Sequence, residues 1–529
     1  MASRFIRLER TASGAVAVQI ADKEQGKVTA LEHIGSAHSD AELALLFQAA
    51  QEKLRPGQCC LSLGPLKQAP PTMASVADWT QGQATRDARD AIDELSAAGR
   101  ARVAATGSLL LWRTLEDAWR RLGFETIRDE AFRKLALARV VEPVSKADSL
   151  RVLSEIGVAS PSLRTVFRTL RRCLERDYRG KLAAACLSHS LGASGALRLV
   201  LYDVTTLWFT SDAEDELRRC GMSKEHRPGP QVQVGLLTCQ GGFPLDAHLF
   251  AGNVAETRTL IPAIAAFRQR YAAERMVVVA DGAMLSAENL NALEDAGLAF
   301  IVGSRISTAP YDLAGRVARR GALLDGQIIE RERVMGAGSA ARRRRVVYSY
   351  SERRRARDEH LIGQQVEKAE RIVAGQAPQR KARFLKVQGA KRGLDEQLIE
   401  RARSLAGLKG YVTNLAEAEM DGAAIIAAYH DLFQVERSFR MAKSDLRARP
   451  VFHHTRDSIE AHLTIVLAAL AVSRHLQDAS GVSIRRLVQT LRPVRSATVT
   501  SGDKTLTIEP EVPSQAREIL DAIERSVGD

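Results

Sequence analysis

Three short stretches near the N-terminus alternate apolar and polar residues: FIRLER, AVAVQI and KVTALEHIG. A period of two is typical of strands that bury one face. A helix-like stretch, AELALLFQAAQEKL, follows them. We therefore predict a small β/α module over residues 1–55, and the Gln- and Pro-containing residues 56–86 are predicted to be a linker.

Apolar residues recur at helical spacing between residues 87 and 195, which predicts a helical domain. In the segment SPSLRTVFRTLRRCLERDY, Ser160 is the candidate N-cap. One predicted face carries Leu163, Val166, Phe167 and Leu170. The outward side carries Arg164, Arg168, Arg171 and Arg172. Such a basic face is typical of a DNA-contacting helix and equally of an ordinary solvated surface.

From residue 196 the pattern changes to strands, LRLVLYDVTTLWF, QVQVGLLTC, PLDAHLF and MVVVAD, with a helix, ETRTLIPAIAAFRQR, before the last. A continuous apolar run beside a helix indicates a strand buried on both faces. The pattern predicts an α/β fold with a mixed sheet. Its first part spans 196–306, its second part spans 409–480 with two helices, and residues 481–529 form a C-terminal tail.

Residues 307–408 interrupt this pattern and are rich in charge, with RRRR at 342–345 and RRR at 353–355. We interpret them as an inserted, β-rich subdomain that faces a phosphate backbone. The alternative is that the arginine runs are solvated loops.

Composition narrows the class of protein. The 529 residues include 76 Lys and Arg against 63 Asp and Glu, a formal charge of +13. Such a chain attracts polyanions, nucleic acid first, although a generally basic proteome would give the same balance. The six cysteines form no CxxC pair, which argues against a zinc or redox motif. The N-terminus lacks the apolar core of a signal peptide. The longest apolar run, Leu463 to Val472, is too short to span a bilayer. We expect a cytoplasmic protein with no membrane partner.

Three carboxylates are the candidate chemistry. Asp203 lies inside an apolar strand, where an unpaired Asp is costly, and Asp281 ends the strand MVVVAD. Ligands of open α/β sheets bind at such carboxyl ends. Glu436 lies on a predicted helix, and Tyr429 and Lys443 are each seven residues away on the same face, which Arg440 joins. The alternatives are turn or cap roles for the aspartates and a surface Glu–Arg pair on the helix.

The chain resembles the DDE transposases of bacterial insertion sequences, in the insertion-sequence-four group. The resemblance rests on YDVTTLWF, QVQVGLLTCQGGFPLDAHLFAGNVAETRTL, VVVADGAMLS and YHDLFQVERSFRMAKSDLRARPVFHH. It implies a ribonuclease-H-like mixed sheet with flanking helices and an insertion between the second Asp and the Glu. The spacings agree, since 78 positions separate Asp203 from Asp281 and 155 separate Asp281 from Glu436.

The resemblance also implies the chemistry. Asp203, Asp281 and Glu436 would bind two Mg²⁺ or Mn²⁺ ions, cleave DNA at the ends of the element and join the freed 3′-hydroxyl to target DNA. Tyr429, Arg440 and Lys443 would contact DNA phosphates. The implied partner is double-stranded DNA, both terminal inverted repeats and target, bound by a homodimer. One position departs from the group's signature, because Leu432 stands where an arginine is expected, and Arg437 or Arg440 could replace it.

Two rival functions stay open and one is disfavoured. The chain could be a catalytically silent DNA-binding protein derived from a transposase, or a two-metal nuclease of the same fold. An aspartyl-nucleophile phosphatase would need a second Asp at position 205, which is Thr205. His453, His454 and His462 lack the further ligand of a zinc site and are expected to be structural or to contact DNA, and Gly241–Gly242 is expected to be a turn.

Overall fold

The protein is described from a computed structural model. It describes residues 3–10, 16–24, 27–37, 46, 50, 53, 102–190, 198–221, 229–271, 276–282, 286–304, 313, 323–378, 382–388, 391–501 and 504–526. The chain divides into two compact units. The first comprises Met1–Ala101 with Thr500–Leu506, and the second comprises Arg102–Val499 with Thr507–Asp529. The predicted linker at 56–86 lies outside the described residues.

The first unit contains three antiparallel strands in the order β1–β2–β3. Their bounds are Ser3–Arg10, Val16–Glu24 and Lys27–Ala37. Val18 and Ile20, two residues apart on β2, are buried on one side of this sheet together with Ala50. The predicted alternating strands are present because the period of two places every second side chain in this small core.

The second unit opens with a strand and five helices. They are β4 Arg102–Gly107, α1 Leu109–Arg121, α2 Glu130–Val141, α3 Ser149–Glu155, α4 Leu163–Glu175 and α5 Tyr178–Ser190. Helix α4 begins later than expected, because the Ser162 hydroxyl, and not Ser160, accepts the hydrogen bond from the Thr165 N–H at 3.2 Å. Most of the described residues between Leu109 and Ser190 are helical.

The predicted orientation of α4 was partly wrong. Val166 and Leu170 are buried as expected, but Leu163 is 42% exposed and Phe167 61% exposed. Arg172 turns inward and forms an ion pair of 2.7 Å with the buried Asp129 carboxylate. The buried stripe is thus rotated towards the side of Cys173, since an ion pair with a buried carboxylate fixes Arg172 against the core.

A nine-stranded mixed sheet forms the centre of the second unit, in the order β11–β12–β15–β10–β9–β5–β7–β6, with β8 paired to β7. The strands are β5 Arg198–Trp208, β6 Arg219–Cys220, β7 Pro230–Cys239, β8 Pro244–Ala251, β9 Met276–Ala280, β10 Ala299–Ser304, β11 Ile328–Met335, β12 Arg342–Tyr350 and β15 Leu408–Thr413. Strand β9 runs parallel to β5 and β10, and the other pairings given by register are antiparallel. The predicted mixed α/β sheet with flanking helices is confirmed.

Helices cover both faces of this sheet. The remaining ones are α6 Leu260–Tyr271, α7 Ala287–Asp295, α8 Glu352–Val373, α9 Glu396–Ser404, α10 Gly422–His430, α11 Leu432–Ser444, α12 Arg456–Ser480, α13 Ile484–Leu491 and α14 Ser514–Arg525. Short strands β13 Leu385–Gln388, β14 Lys391–Leu394, β16 Ser496–Ser501 and β17 Lys504–Ile508 complete the described elements. Alternate residues of β5 enter different cores, since Leu201 packs with α11 and α12 whereas Tyr202 packs with α6 and α7.

The long helix α12 is the scaffold of the second unit. It contacts α2, α4, α5, α11 and β8. Among the described helices it alone is long and apolar enough to cross a membrane, yet 89% of its most apolar window is buried inside the protein. Its all-round apolar surface is therefore that of a core helix.

The RRRR run is a strand and not a solvated loop, and two of its four arginines, Arg344 and Arg345, are held inside the fold. It lies in β12, which together with β11 extends the main sheet. Arg344 is fully buried and its Nε donates to Glu294 Oε1 at 2.7 Å, while Arg345 Nε donates to Glu330 Oε2 at 2.8 Å. The carboxylates of Glu294 and Glu330, on neighbouring elements, thus neutralise the charges of Arg344 and Arg345. From the sequence alone these arginines read as part of a basic patch.

Candidate functional site

Two parallel strands place Asp203 and Asp281 side by side. Tyr202 on β5 pairs with Ala280 on β9, so Asp203 and Asp281 occupy the next position along each strand. By alternation both lie on the face of Leu201, which α11 and α12 cover. Asp203 is half-buried and Asp281 is exposed at the end of its strand. The parallel pairing thus brings together two carboxylates that are 78 positions apart in the sequence.

Tyr429 holds Asp281 in place. Its hydroxyl donates to Asp281 Oδ1 at 2.9 Å, and the Gly282 N–H donates to the same oxygen at 2.6 Å. Burial raises the pKa of Tyr429, and the negative charge of Asp281 raises it further, so the phenol keeps its proton and remains a donor. A Cβ at Gly303 would lie 2.5 Å from the Tyr429 hydroxyl oxygen, so this close approach requires glycine there.

A lysine that the sequence did not single out stands over this tyrosine. Lys409 Nζ lies 4.3 Å from the centroid of the Tyr429 ring, and the Tyr411 ring packs 4.9 Å from it, edge towards face. Burial lowers the pKa of Lys409 and the charge of Arg354 lowers it further, whereas Asp281 opposes both. Lys409 is therefore a partly desolvated cation close to the second aspartate.

The helix that was predicted to carry Tyr429 and Glu436 on one stripe is divided at Asp431. Tyr429 belongs to α10 and faces inward, while Glu436 belongs to α11 and is exposed. Asp431, the residue between the two helices, accepts a hydrogen bond of 2.8 Å from Gln240 Nε2. This bond connects the junction of the helices to the turn after β7. The predicted shared face therefore includes only the residues of α11, which are Glu436, Arg440 and Lys443.

An open cleft of about 560 Å³ collects most of the predicted site. Its lining residues are Asp203, Val204, Thr205, Glu436, Phe439, Arg440, Lys443, Ser444 and Arg449. Two carboxylates from distant parts of the chain thus line one cavity together with three cations. Asp281 and Tyr429 are not among the lining residues. Opposed carboxylates and cations are the arrangement that binds a phosphate next to a metal ion.

The donor chemistry fits a hard divalent cation, but the carboxylates do not form a closed ligand set. Within the described part of the chain, no group of three His, Cys, Asp or Glu side chains is placed to hold one metal ion. Asp203 shares the cleft with Glu436, and both Asp203 and Asp281 directly follow the paired residues Tyr202 and Ala280.

Helix α11 is anchored by the turn between β7 and β8. The Ser438 hydroxyl donates to the Gly242 carbonyl at 2.6 Å, and Arg474 Nη2 of α12 donates to the Gly241 carbonyl at 2.6 Å. Gly242 has φ +83° and a Cβ there would lie 2.8 Å from Gln434 Cβ. The predicted turn at Gly241–Gly242 is confirmed, and it positions the helix that carries Glu436.

Buried polar groups hold the segment after α11. Arg139 Nε donates to the Leu446 carbonyl at 2.8 Å, and burial lowers the pKa of Arg139 to about 10. His462 Nε2 lies 3.0 Å from the Ala448 carbonyl, and its Nδ1 lies 2.5 Å from Lys146 Nζ. These partners require a neutral imidazole that donates from Nε2. His462 thus has a structural role next to Arg449, which lines the cleft.

Sequence reasoning missed four residues of this region, Thr205, Lys409, Tyr411 and Arg449. Thr205 follows Asp203 by two, so strand alternation could have placed it on the same face. The phosphate role of Tyr429 stays a prediction: its hydroxyl contacts Asp281, and the residue does not line the cleft. Arg437 bonds Gln434 at 3.1 Å and does not line the cleft either. Arg440 is thus the candidate that substitutes for the arginine missing at Leu432.

Comparison with known proteins gives one family. No curated protein matches the chain. A cryo-EM structure of a piggyBac transposase synaptic complex with hairpin DNA is similar with a TM-score of 0.33 and 8% identity, over 77% of this chain and 70% of that one. The family model described as "Transposase DDE domain" matches residues 196–472, more than half of the chain. The chain belongs to the transposase DDE domain family.

Proposed function

We propose that the protein is a transposase that cleaves DNA strands at the ends of an insertion sequence and transfers them into target DNA. The observation that carries the proposal is the meeting of Asp203 and Glu436 in one open cleft with Arg440, Lys443 and Arg449. A carboxylate pair facing several cations suits a phosphodiester, whose charge the cations neutralise. Asp281 lies next to Asp203 along the paired strands.

Two divalent cations, Mg²⁺ or Mn²⁺, would be held by Asp203, Asp281 and Glu436, and they would supply an activated nucleophile and stabilise the leaving oxygen. Movement of Asp281 and Glu436 towards Asp203 would then close the ligand set. Tyr429 orients the Asp281 carboxylate, which a hydrogen bond of 2.9 Å supports. Arg440 and Lys443, one turn apart on α11, position the DNA backbone along the cleft.

The partner in this proposal is double-stranded DNA, both the terminal inverted repeats and the target, bound by a homodimer in the cytoplasm. The formal charge of +13 favours association with DNA. Membership of the insertion-sequence-four group belongs to the proposal as well, and the motifs around Asp203 and Glu436 support it.

The test uses the purified full chain, a labelled linear duplex that carries the DNA flanking its own gene, a supercoiled target plasmid and Mg²⁺ or Mn²⁺. We expect cleavage at the element ends and joining to the plasmid in the wild type. Asp203→Asn and Glu436→Gln should abolish both while DNA binding persists. Glu417→Gln, an exposed residue of the loop before α10, is the matched control.

Each rival function has its own outcome. Cleavage without joining to the plasmid would indicate a two-metal nuclease. Binding with no cleavage under either metal would indicate a silent DNA-binding protein. Cleavage that persists in Asp203→Asn would remove the catalytic assignment altogether.

A further inference from the structure

Helix α4 (Leu163–Glu175) exposes an apolar stripe among arginines on the side away from its core. Leu163, Phe167 and Arg171 follow one another at intervals of four, so they form one row along the helix. Arg164 and Arg168 form the adjacent row, and all five residues line a shallow hollow of about 520 Å³. The opposite face buries Val166, Thr169, Leu170 and Cys173.

The exposure of Phe167 requires an explanation. Its ring is 61% exposed although α4 has a complete buried face of its own. Leu163 and Phe167 form one exposed apolar patch rimmed by arginines, and apolar patches with a polar rim mark interaction sites. Among the residues that the structure describes, Arg168 donates to the Thr165 hydroxyl at 3.4 Å, and the Arg171–Glu175 pair at 3.5 Å is exposed and weak. The guanidinium groups therefore keep most of their capacity to bind anions.

We infer that this face of α4 is a DNA-binding surface, on which the arginines contact phosphates and Phe167 packs against the sugars and base edges of the same duplex. The inference rests on the proposed function, because it supplies a second contact for the DNA that enters the cleft. Guanidinium groups match phosphate geometry, and an apolar side chain between phosphate contacts is a common wedge in protein–DNA complexes. The N-terminus of α4, beside Arg164, adds a partial positive charge.

A second copy of the chain is a poorer occupant than DNA. A symmetric contact would place the same stripe on both sides, so Arg164, Arg168 and Arg171 of each copy would face their counterparts. Such like-charge contacts oppose association unless anions intervene. DNA suits both parts of the surface, because its phosphates can bind the arginines and its sugars and base edges can pack against Phe167.

The scaffold links this surface to the cleft. Helix α4 packs on α12. Helix α11, which carries Glu436, packs on the same α12. A duplex held on α4 is thus held relative to one rigid helix that also supports the catalytic carboxylate, and such an anchor would set the register of the DNA.

The experiment measures fluorescence anisotropy of a labelled duplex of about 40 base pairs with random sequence, titrated with the full chain at several KCl concentrations. In Arg164→Gln/Arg168→Gln/Arg171→Gln, we expect the slope of log affinity against log salt to fall by about 0.9 for each phosphate that the protein no longer neutralises. Phe167→Ala should weaken binding by roughly tenfold and leave the slope unchanged. Glu175→Gln, which removes a negative charge beside the stripe, should tighten binding.

Three controls accompany these variants. The triple Arg-to-Lys variant keeps the charge and should retain the salt slope. Arg517→Gln/Arg525→Gln removes exposed arginines from α14 and should bind more tightly than the α4 triple variant. Thermal melting by circular dichroism establishes that each variant folds.

Two results would overturn the inference. One is wild-type affinity and slope in the folded triple Gln variant. The other is a change of oligomeric state in Phe167→Ala by sedimentation velocity with DNA binding intact, which would make the stripe an interface between copies. Either result leaves the proposed function standing if Asp203→Asn still abolishes cleavage, whereas a wild type that binds no DNA at any salt concentration contradicts both.

Discussion

The Tyr429 hydroxyl donates a hydrogen bond of 2.9 Å to the Asp281 carboxylate, across 148 positions of sequence. This hydrogen bond joins α10 to the end of β9. Glu436, seven residues after Tyr429, lies on α11 and lines the cleft. Burial raises the pKa of the Tyr429 phenol, so the hydroxyl keeps its proton. It therefore acts as a fixed hydrogen-bond donor that limits how the Asp281 carboxylate can rotate.

Tyr429→Phe should weaken the assembly of the metal site without unfolding the protein. Removing one buried hydroxyl costs about 1 kcal/mol of unfolding free energy, while the loss of a carboxylate-orienting partner costs about 10- to 100-fold in metal affinity or activity. DNA cleavage is measured as a function of Mn²⁺ concentration. Tyr411→Phe, whose ring packs against Tyr429, is the control. Identical Mn²⁺ curves for wild type and Tyr429→Phe would disprove the orienting role.

Gly303→Ala tests the close approach of Tyr429 to β10. The new Cβ would lie 2.5 Å from the tyrosine oxygen, so we expect a loss of about 1–3 kcal/mol in unfolding free energy by urea denaturation. Adding Tyr429→Phe should recover part of it, because the oxygen is the nearest atom. Gly363→Ala on α8, where no atom lies within 4 Å, should be neutral or stabilising. Fully additive effects of the two substitutions would refute the clash.

Arg344→Ala should show that the RRRR run supports the fold. Its removal leaves the Glu294 carboxylate with Arg342 alone, and we expect a loss of about 3 kcal/mol in unfolding free energy. Arg343→Ala, in the same run but with an exposed ion pair to Glu332, should cost less than about 1 kcal/mol. Equal losses of stability in the two variants would restore the interpretation as a surface patch.

Acid should destabilise the protein through His475. Burial, helped by the neighbouring charges of His189 and Arg121, lowers the pKa of its imidazole to about 4. Below about pH 6.5 the unfolded chain binds a proton that the folded chain refuses, so stability falls as pH drops from about 6.5 to about 4. The slope from this residue is at most about 1.4 kcal/mol per pH unit.

His475→Gln should flatten that part of the profile, measured by urea denaturation at each pH. His360→Gln, exposed on α8, serves as the control and should keep the wild-type slope. An unchanged slope in His475→Gln would assign the acid sensitivity to other groups.

Local patterns were enough to predict the positions of several residues of the candidate site. The apolar runs around Asp203 and Asp281 predict strands, and parallel β5 and β9 place both carboxylates on one face. The spacing of Glu436, Arg440 and Lys443 predicts one helical face, and all three line the cleft. The division of the helix at Asp431 was not predicted, since Asp431 is helical in its backbone and its partner Gln240 is 191 positions away.

The sequence by itself determined the features that depend on residues a few positions apart. These are the strands with alternating faces, the amphipathic helices and the carboxylates that follow apolar strands. Pairing between distant segments decides the rest. Arg344 becomes a core residue because Glu294 pairs with it, Tyr429 is the hydrogen-bond partner of Asp281, and Arg172 pairs with Asp129. Phe167 lies on the exposed side of α4. A charge or a ring has no fixed role until the fold supplies its counterpart, and that counterpart lies too far along the chain for any local pattern to reveal.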